Sequence, residues 1–338
     1  MIEQSKTEKN KTEEKRLLSG MRSTGKLHLG HLSVLENWAQ LQKEYQCYFF
    51  IADWHALTTA FDDTAMIKDN IREIALDWLA AGIDPKESAI FVQSSVKEHA
   101  ELHLLLSMIT PLSWLERVPS FKDQINQLKE QGKDISTYGF LGYPLLMTAD
   151  VLLYRAYGVP VGEDQVPHLE LSREIARRFN HLFGEVFPEP KALLPKIKLL
   201  PGTDNRKMSK SYDNYINLSA GEQEVSQKVS QMVTDPSRIK KTDPGHPDIC
   251  AVYTYHKVYN EAGEPEVREA CIGGQIGCVA CKKLLAGKMN EVLAPVVERR
   301  VKFEGNPRLV DEILAAGAER ARTQAQKTLQ VVREAMKI

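Results

Sequence analysis

The tightest constraint on the fold comes early, where "RLLSGM", "RSTGKLHLG", "HLSVLENWAQLQKEY" and "QCYFFIAD" follow one another from Arg16. An apolar run, a glycine-bearing turn, a stretch of helical periodicity and a second apolar run make a β-α-β unit. Strands joined through a helix lie parallel, because a tight hairpin cannot connect parallel neighbours. Helical periodicity returns over 64–81, a short apolar strand over "SAIFVQSS" and another helix over 97–109. This alternation predicts an α/β fold, a parallel sheet wrapped by helices that opens as nucleotide-binding folds do. Beyond "PGTDNRKMSKS" the strand signals thin out. There "GEQEVSQKVSQMV", "VACKKLLAGKMNEVLAPVVERRVKF" and "PRLVDEILAAGAERARTQAQKTLQVVREAMKI" read as helices. The expected organisation is a frayed charged tail over 1–15, a parallel-sheet domain over 16–218 and an α-helical domain over 219–338.

With 338 residues, 43% of them hydrophobic, the chain can bury a core in each of two domains. Forty-four Lys and Arg against forty-five Asp and Glu leave a net charge of -1, so a polyanion has to be met by a local patch. The start, "MIEQSKTEKNKTEEKR", is polar, and no apolar run reaches eighteen residues. A cytoplasmic protein without a membrane segment is expected. A reducing compartment disfavours disulfides, so the five cysteines read as metal ligands or free thiols. Cys47, in "YQCYFF", reads as a core thiol. The other four run Cys250-x20-Cys271-x6-Cys278-x2-Cys281. Four thiolates suit tetrahedral zinc or an iron-sulfur cluster. A Cys278 to Cys281 disulfide and unligated core thiols are the alternatives.

Two short motifs point to phosphate chemistry. In "TGKLHLGH", Gly25 permits a tight turn, and His28, Gly30 and His31 fall on the opening turn of the next helix. Backbone N-H groups there favour anions, and imidazoles at i and i+3 reach the same side. The second, Lys207-Met208-Ser209-Lys210-Ser211, sits in a Gly, Asp and Asn-rich stretch where two lysines can grip a polyphosphate. Taken singly, each motif reads equally as a surface feature. Together, in this order and about 180 residues apart in an alternating chain, they resemble the HIGH and KMSKS signatures of class I aminoacyl-tRNA synthetases. "GMRSTGKLHLGH", "ADWHALTT", "YPLLMTADVLLYRAYGVPVGEDQVPHLELSREIARRFN" and "PGTDNRKMSKSYDN" are similar to the tyrosyl and tryptophanyl branch, from about residue 17 to the C-terminal helices.

Within that branch, tyrosine enzymes show Tyr-x3-Gln-x2-Asp, whereas this chain has Tyr143, Met147 and Asp150, similar to the tryptophanyl enzymes. The chemistry agrees, because a thioether can lie against a flat indole and a carboxylate can accept the indole N-H. Asp150 could alternatively cap the helix that follows it. The resemblance implies a Rossmann-like catalytic domain followed by a helical domain that meets the anticodon. It implies ATP, carried with Mg2+, L-tryptophan and tRNA(Trp) as substrates, and a homodimer. Residue by residue, Arg22, Ser23, Thr24, Gly30 and His31 would border the nucleotide, with Gly162, Glu163 and Asp164 on its ribose side and Ile197 against adenine. Tyr143, Met147, Asp150, Gln165 and His55 would line the tryptophan pocket. His28, His31, Lys122, Lys207 and Lys210, with Met208, Ser209 and Ser211 beside them, would meet the phosphates. Some tryptophanyl enzymes carry a 4Fe-4S cluster with the same x6 and x2 cysteine spacings and a first gap of x22, where this chain has x20.

Overall fold

A computed structural model describes residues 15–118, 134–194, 200–209, 212–240 and 242–338. Residues 1–14 of the expected tail, and Lys122, Ile197, Lys210 and Ser211, therefore lie outside the described residues. Five parallel strands form one sheet: β1 (Arg16–Arg22), β2 (Gln46–Ala52), β3 (Ser88–Val92), β4 (Gly158–Pro160) and β5 (Lys191–Leu193). Their spatial order is β3-β2-β1-β4-β5: the alternation predicted a parallel sheet, and the resemblance implied its Rossmann-like arrangement. The order reverses between β1 and β4, and the crevice at the carboxyl ends of these two strands is where such sheets bind ligands.

The described helices are α1 (Leu32–Leu41), α2 (Asp53–Ala60), α3 (Ile67–Ala81), α4 (Glu98–Ser107), α5 (Leu112–Glu116), α6 (Tyr138–Leu141), α7 (Tyr143–Leu153) and α8 (Val166–Phe183). Beyond the sheet follow α9 (Glu222–Gln231), α10 (Ala251–Tyr259), α11 (Glu264–Ile272), α12 (Cys278–Glu304) and α13 (Pro307–Met336). The middle of β2 is wholly buried, with side chains packed alternately on its two faces: Cys47, Phe49 and Ile51 enter one core and Tyr48 and Phe50 the other. Cys47 is thus the core thiol expected of it.

Both cores run across the boundary at residue 218. The first joins β1, β2 and α3 to α9, α10 and α12, and the second joins the opposite sheet face to Ala318, Ala321, Ala325, Leu329 and Val332 of α13. A Cβ on Gly317 would overlap the Ile90 carbonyl oxygen, so α13 lies directly on the backbone of β3. By charge count alone "ERRVKF" and "ERARTQAQKTLQVVREAMK" read as a solvated helix face; in the structure several of their arginines dock the helices onto the sheet domain. Arg299 donates to Ala80 O (2.6 Å), Arg320 to Pro85 O and Ser88 O (2.7 and 3.1 Å), Arg322 to Ser95 O (2.6 Å), and Arg333 pairs with both oxygens of Glu101.

Arg300 of α12 is buried and donates to Asp77, which is 0% exposed, and to Glu73, both on α3. The other Asp77 oxygen accepts the Leu27 backbone N-H at 2.8 Å. Removing one partner of a buried ion pair leaves an uncompensated charge, which costs about 3–5 kcal/mol. Arg300→Ala should therefore lower the unfolding free energy by about that amount in urea titration, with partial recovery on adding Asp77→Ala. A loss within the scatter of ordinary surface substitutions would show that the pair is not the joint described here.

Candidate active site

At the β1/β4 crevice the backbone opens a cavity of about 420 Å³. Its floor is Ser19, Gly20 and Met21 of β1 with Val159 and Pro160 of β4. A Cβ on Gly20 would fall 2.7 Å from Phe50 O, so only glycine fits there. Helix α7 presents Tyr143, Met147 and Asp150 at i, i+4 and i+7, one face of a helix, and all three border the cavity. His55 of α2 and Gln165, at the entry to α8, complete the set, so all five residues expected around tryptophan line one space. Arg22 and Gly162 line it too, whereas Glu163 and Asp164 are exposed on the short 3-10 turn beside it. Asp150 lies well inside α7, which rules out the N-cap alternative.

The Asp150 carboxylate is 1% exposed and fully engaged. Gln93 Nε2 donates to both oxygens at 2.8 and 2.9 Å, His99 Nδ1 reaches Oδ1 at 2.6 Å, and His55 Nε2 reaches Oδ2 at 2.9 Å. The far nitrogen of His99 meets the Tyr154 hydroxyl at 2.8 Å. Burial pushes the Asp150 carboxyl up, but hydrogen bonds from His55 and His99 outweigh it and hold the group below the usual carboxylate range. Burial and the Asp150 charge push the Tyr154 phenol far up. Gln93 and His99 had no motif to mark them; "FVQSSVKEHA" reads as a strand end followed by a helix start.

The two signatures meet. Residues 27–29 pair with 216–218: Leu29 N donates to Ile216 O (3.0 Å) and Leu218 N to Leu27 O (2.9 Å). Gly30 faces Met208, since an added Cβ would stand 3.4 Å from its sulfur. The His28 and His31 rings lie 4.0 Å apart between centroids. The expectation that open backbone N-H groups await an anion here is corrected: all four at 28–31 are already used. His28 N donates to His31 Nδ1, Leu29 N to Ile216 O, Gly30 N to His28 Nδ1 and His31 N to His28 O. With Nδ1 accepting from Gly30 N, a neutral His28 ring carries its hydrogen on Nε2. His31 Nδ1 stands 3.3 Å from both the His28 backbone N and the His28 carbonyl oxygen, so its tautomer follows which of the two it engages. The rings rather than the backbone are the groups a phosphate would meet.

Asn214, 3% exposed, shapes the second signature: Nδ2 donates to Asp204 Oδ1 (2.7 Å) and Lys207 O (3.1 Å), while Oδ1 accepts from Ser209 N (2.8 Å). Ser23 is buried and its carbonyl accepts from Asn70, whereas Thr24 and Lys207 are exposed.

Residues 9–294 match the family described as tRNA synthetases class I (W and Y). The chain belongs to this family. The tryptophan–tRNA ligase of Thermotoga maritima is 54% identical over 96% of this chain and 99% of its own, and that of Aquifex aeolicus 44% over 96% and 100%. The tryptophanyl-tRNA synthetase of Campylobacter jejuni, in its crystal structure complexed with ADP and tryptophan, gives a TM-score of 0.87 at 34% identity, covering 96% of this chain and 100% of that one.

Outside this crevice, Cys250, Cys271, Cys278 and Cys281 all line one small cavity with Asp235 and Arg238. Cys250 is the N-cap of α10, Cys271 lies near the end of α11, and Cys278 and Cys281 stand on the first turn of α12. Burial, then the charge the other three thiols would carry, pushes Cys281 up to about 12; burial also raises Cys250 and Cys271. Among the described residues, no three such ligands stand together closely enough for a single ion.

Replacing Asn214 with Ala frees the loop that carries Lys207 and Ser209. In this family the expected result is an adenylation rate down about 100-fold at unchanged tryptophan affinity, read by single-turnover kinetics beside equilibrium binding. An equal loss in both would move Asn214 from loop positioning to substrate binding.

Proposed function

We infer that the chain is a tryptophan–tRNA ligase. It activates L-tryptophan with ATP and passes the tryptophanyl group to the terminal adenosine of tRNA(Trp). The observation that carries the choice of amino acid is the apolar cavity holding Met147 above a buried, ionised Asp150. The indole N-H fits that acceptor; a phenol O-H could also donate to it, so the discrimination against tyrosine rests on apolar Met147 standing where tyrosine enzymes show Gln.

The tryptophan carboxylate attacks the α-phosphate of ATP in line, and pyrophosphate leaves. A ribose hydroxyl of the tRNA then takes the acyl group. No protein nucleophile is needed, so the side chains contribute position and charge. Tyr143, Met147, His55 and Gln165 would wall the indole, and Arg22, Ser23, Thr24, Gly30 and Gly162 would border the nucleotide, with Glu163 and Asp164 accepting from ribose hydroxyls. His28, through Nε2, and His31 would meet the phosphates, while Lys207 and Lys210 draw the leaving pyrophosphate. Mg2+ arrives with the ATP.

In ATP–pyrophosphate exchange, tryptophan should outpace tyrosine roughly 10,000-fold in kcat/KM. Comparable rates would return the chain to the tyrosine branch.

The four-thiol cavity is read as the seat of a 4Fe-4S cluster. Thiols that raise one another's pKa need a cationic centre to become thiolates together. Around one zinc ion, sulfurs converge to about 3.8 Å of one another, since each Zn-S bond is about 2.3 Å. The cavity between the four thiols is only about 20 Å³, so the preference for a cluster rests on the x6 and x2 spacings shared with cluster-bearing tryptophanyl enzymes and not on size. With no position open to substrate, the cluster would brace a surface for the tRNA anticodon, as would suit helices 219–338. Homodimer and cytoplasmic location complete the reading; among the described residues no helix is long and apolar enough to cross a membrane. Protein purified without air should contain about four iron and four sulfide per chain and absorb in the visible. A colourless, zinc-loaded protein would replace the cluster with a single ion.

A further inference from the structure

Three donors hold Asp150, and they differ in where they stand. Gln93 and His99 are 0% exposed, and neither lines the cavity. His55 is 9% exposed and does line it. An ionised carboxylate accepts only, so the His99 nitrogen facing it at 2.6 Å carries the hydrogen, and the other nitrogen can accept from the Tyr154 hydroxyl. Gln93 turns its amide nitrogen to the carboxylate, although its Oε1 is then buried without a hydrogen-bond partner among the described residues. Every lone-pair direction of Asp150 is occupied, so an incoming N-H gains a place only where a present donor leaves.

We propose that His99, clamped between Asp150 and Tyr154, is a positioning residue that determines amino-acid specificity, and that His55 is the donor displaced by the ligand's indole N-H. The proposal rests on the reading that Asp150 receives that N-H. His99 and Gln93 stay in place during the exchange and keep the carboxylate charged and aimed. Without His99, burial is opposed by fewer donors, and Asp150 takes up a proton at higher pH. The titratable groups around Asp150 are His55 from α2, His99 and His103 from α4, and Tyr154 just after α7. His168 of α8 faces His55, and Glu98 faces Tyr154.

The test measures dissociation constants of tryptophan and of its benzothienyl analogue, in which sulfur replaces the ring N-H, on the full chain. Measurements run from about pH 5 to about pH 8, the range where histidine changes charge. The wild type should prefer tryptophan about 10- to 100-fold. In His99→Leu that preference should fall toward unity as the pH is lowered, and His99→Asn, whose amide nitrogen can stand where Nδ1 stands, should restore it. Tyr154→Phe, nearly isosteric, should shift the pH midpoint in the same direction by a smaller amount and serves if His99→Leu does not fold. A wild type without any preference overturns the Asp150 reading itself. A preference and pH profile unchanged by the His99 and Tyr154 substitutions leave that reading intact and overturn the role given to His99.

Discussion

A buried carboxylate, Asp77, joins three parts of the chain that are far apart in sequence. One oxygen receives Arg300 from α12 and the other receives the Leu27 N-H that leads into the first signature. A charge with 0% exposure persists only when paired and hydrogen-bonded, so helix α3, the long helix α12 and the HLGH turn are placed relative to one another by one group. Local contacts then extend that placement, with α13 lying on β3 at Gly317 and the arginines of the last helices donating to carbonyls at sheet and helix ends.

From that frame the two signatures can meet. The 27–29 to 216–218 pairing holds the loop carrying Lys207 against the turn carrying His28 and His31, and Met208 packs toward Gly30. Asn214 fixes the shape of the loop. In the proposed adenylation, charge has to be placed around the phosphates, and the contact between elements about 180 residues apart in the chain would serve that placement as well as packing.

Much of this was legible in the chain. The β-α-β opening dictated a parallel sheet, because strand and helix periods differ and parallel strands need a crossover. Tyr143, Met147 and Asp150 were picked out by their resemblance to the tryptophanyl pattern, and the helix over Tyr143–Leu153 puts them on one face. What escaped was whatever depends on partners far away in sequence. "ERRVKF" has the composition of a solvated face, yet Arg300 is buried on Asp77. The anion-ready backbone expected at His28 is capped by the two imidazoles. Gln93 and His99 carry no pattern that separates them from ordinary helix-start residues.

The sequence by itself determined the parallel sheet wrapped by helices, the run of helices after it, and the two short signatures with the phosphate chemistry proposed for them. These follow from local periodicity and from side-chain chemistry. Tertiary structure decided which donors hold Asp150, which basic residues are spent on docking, and that Cys250 lines the same small cavity as Cys271, Cys278 and Cys281. Each of those outcomes is set by burial and by partners dozens to hundreds of residues away, and charge and hydrogen-bond energies change sign with burial.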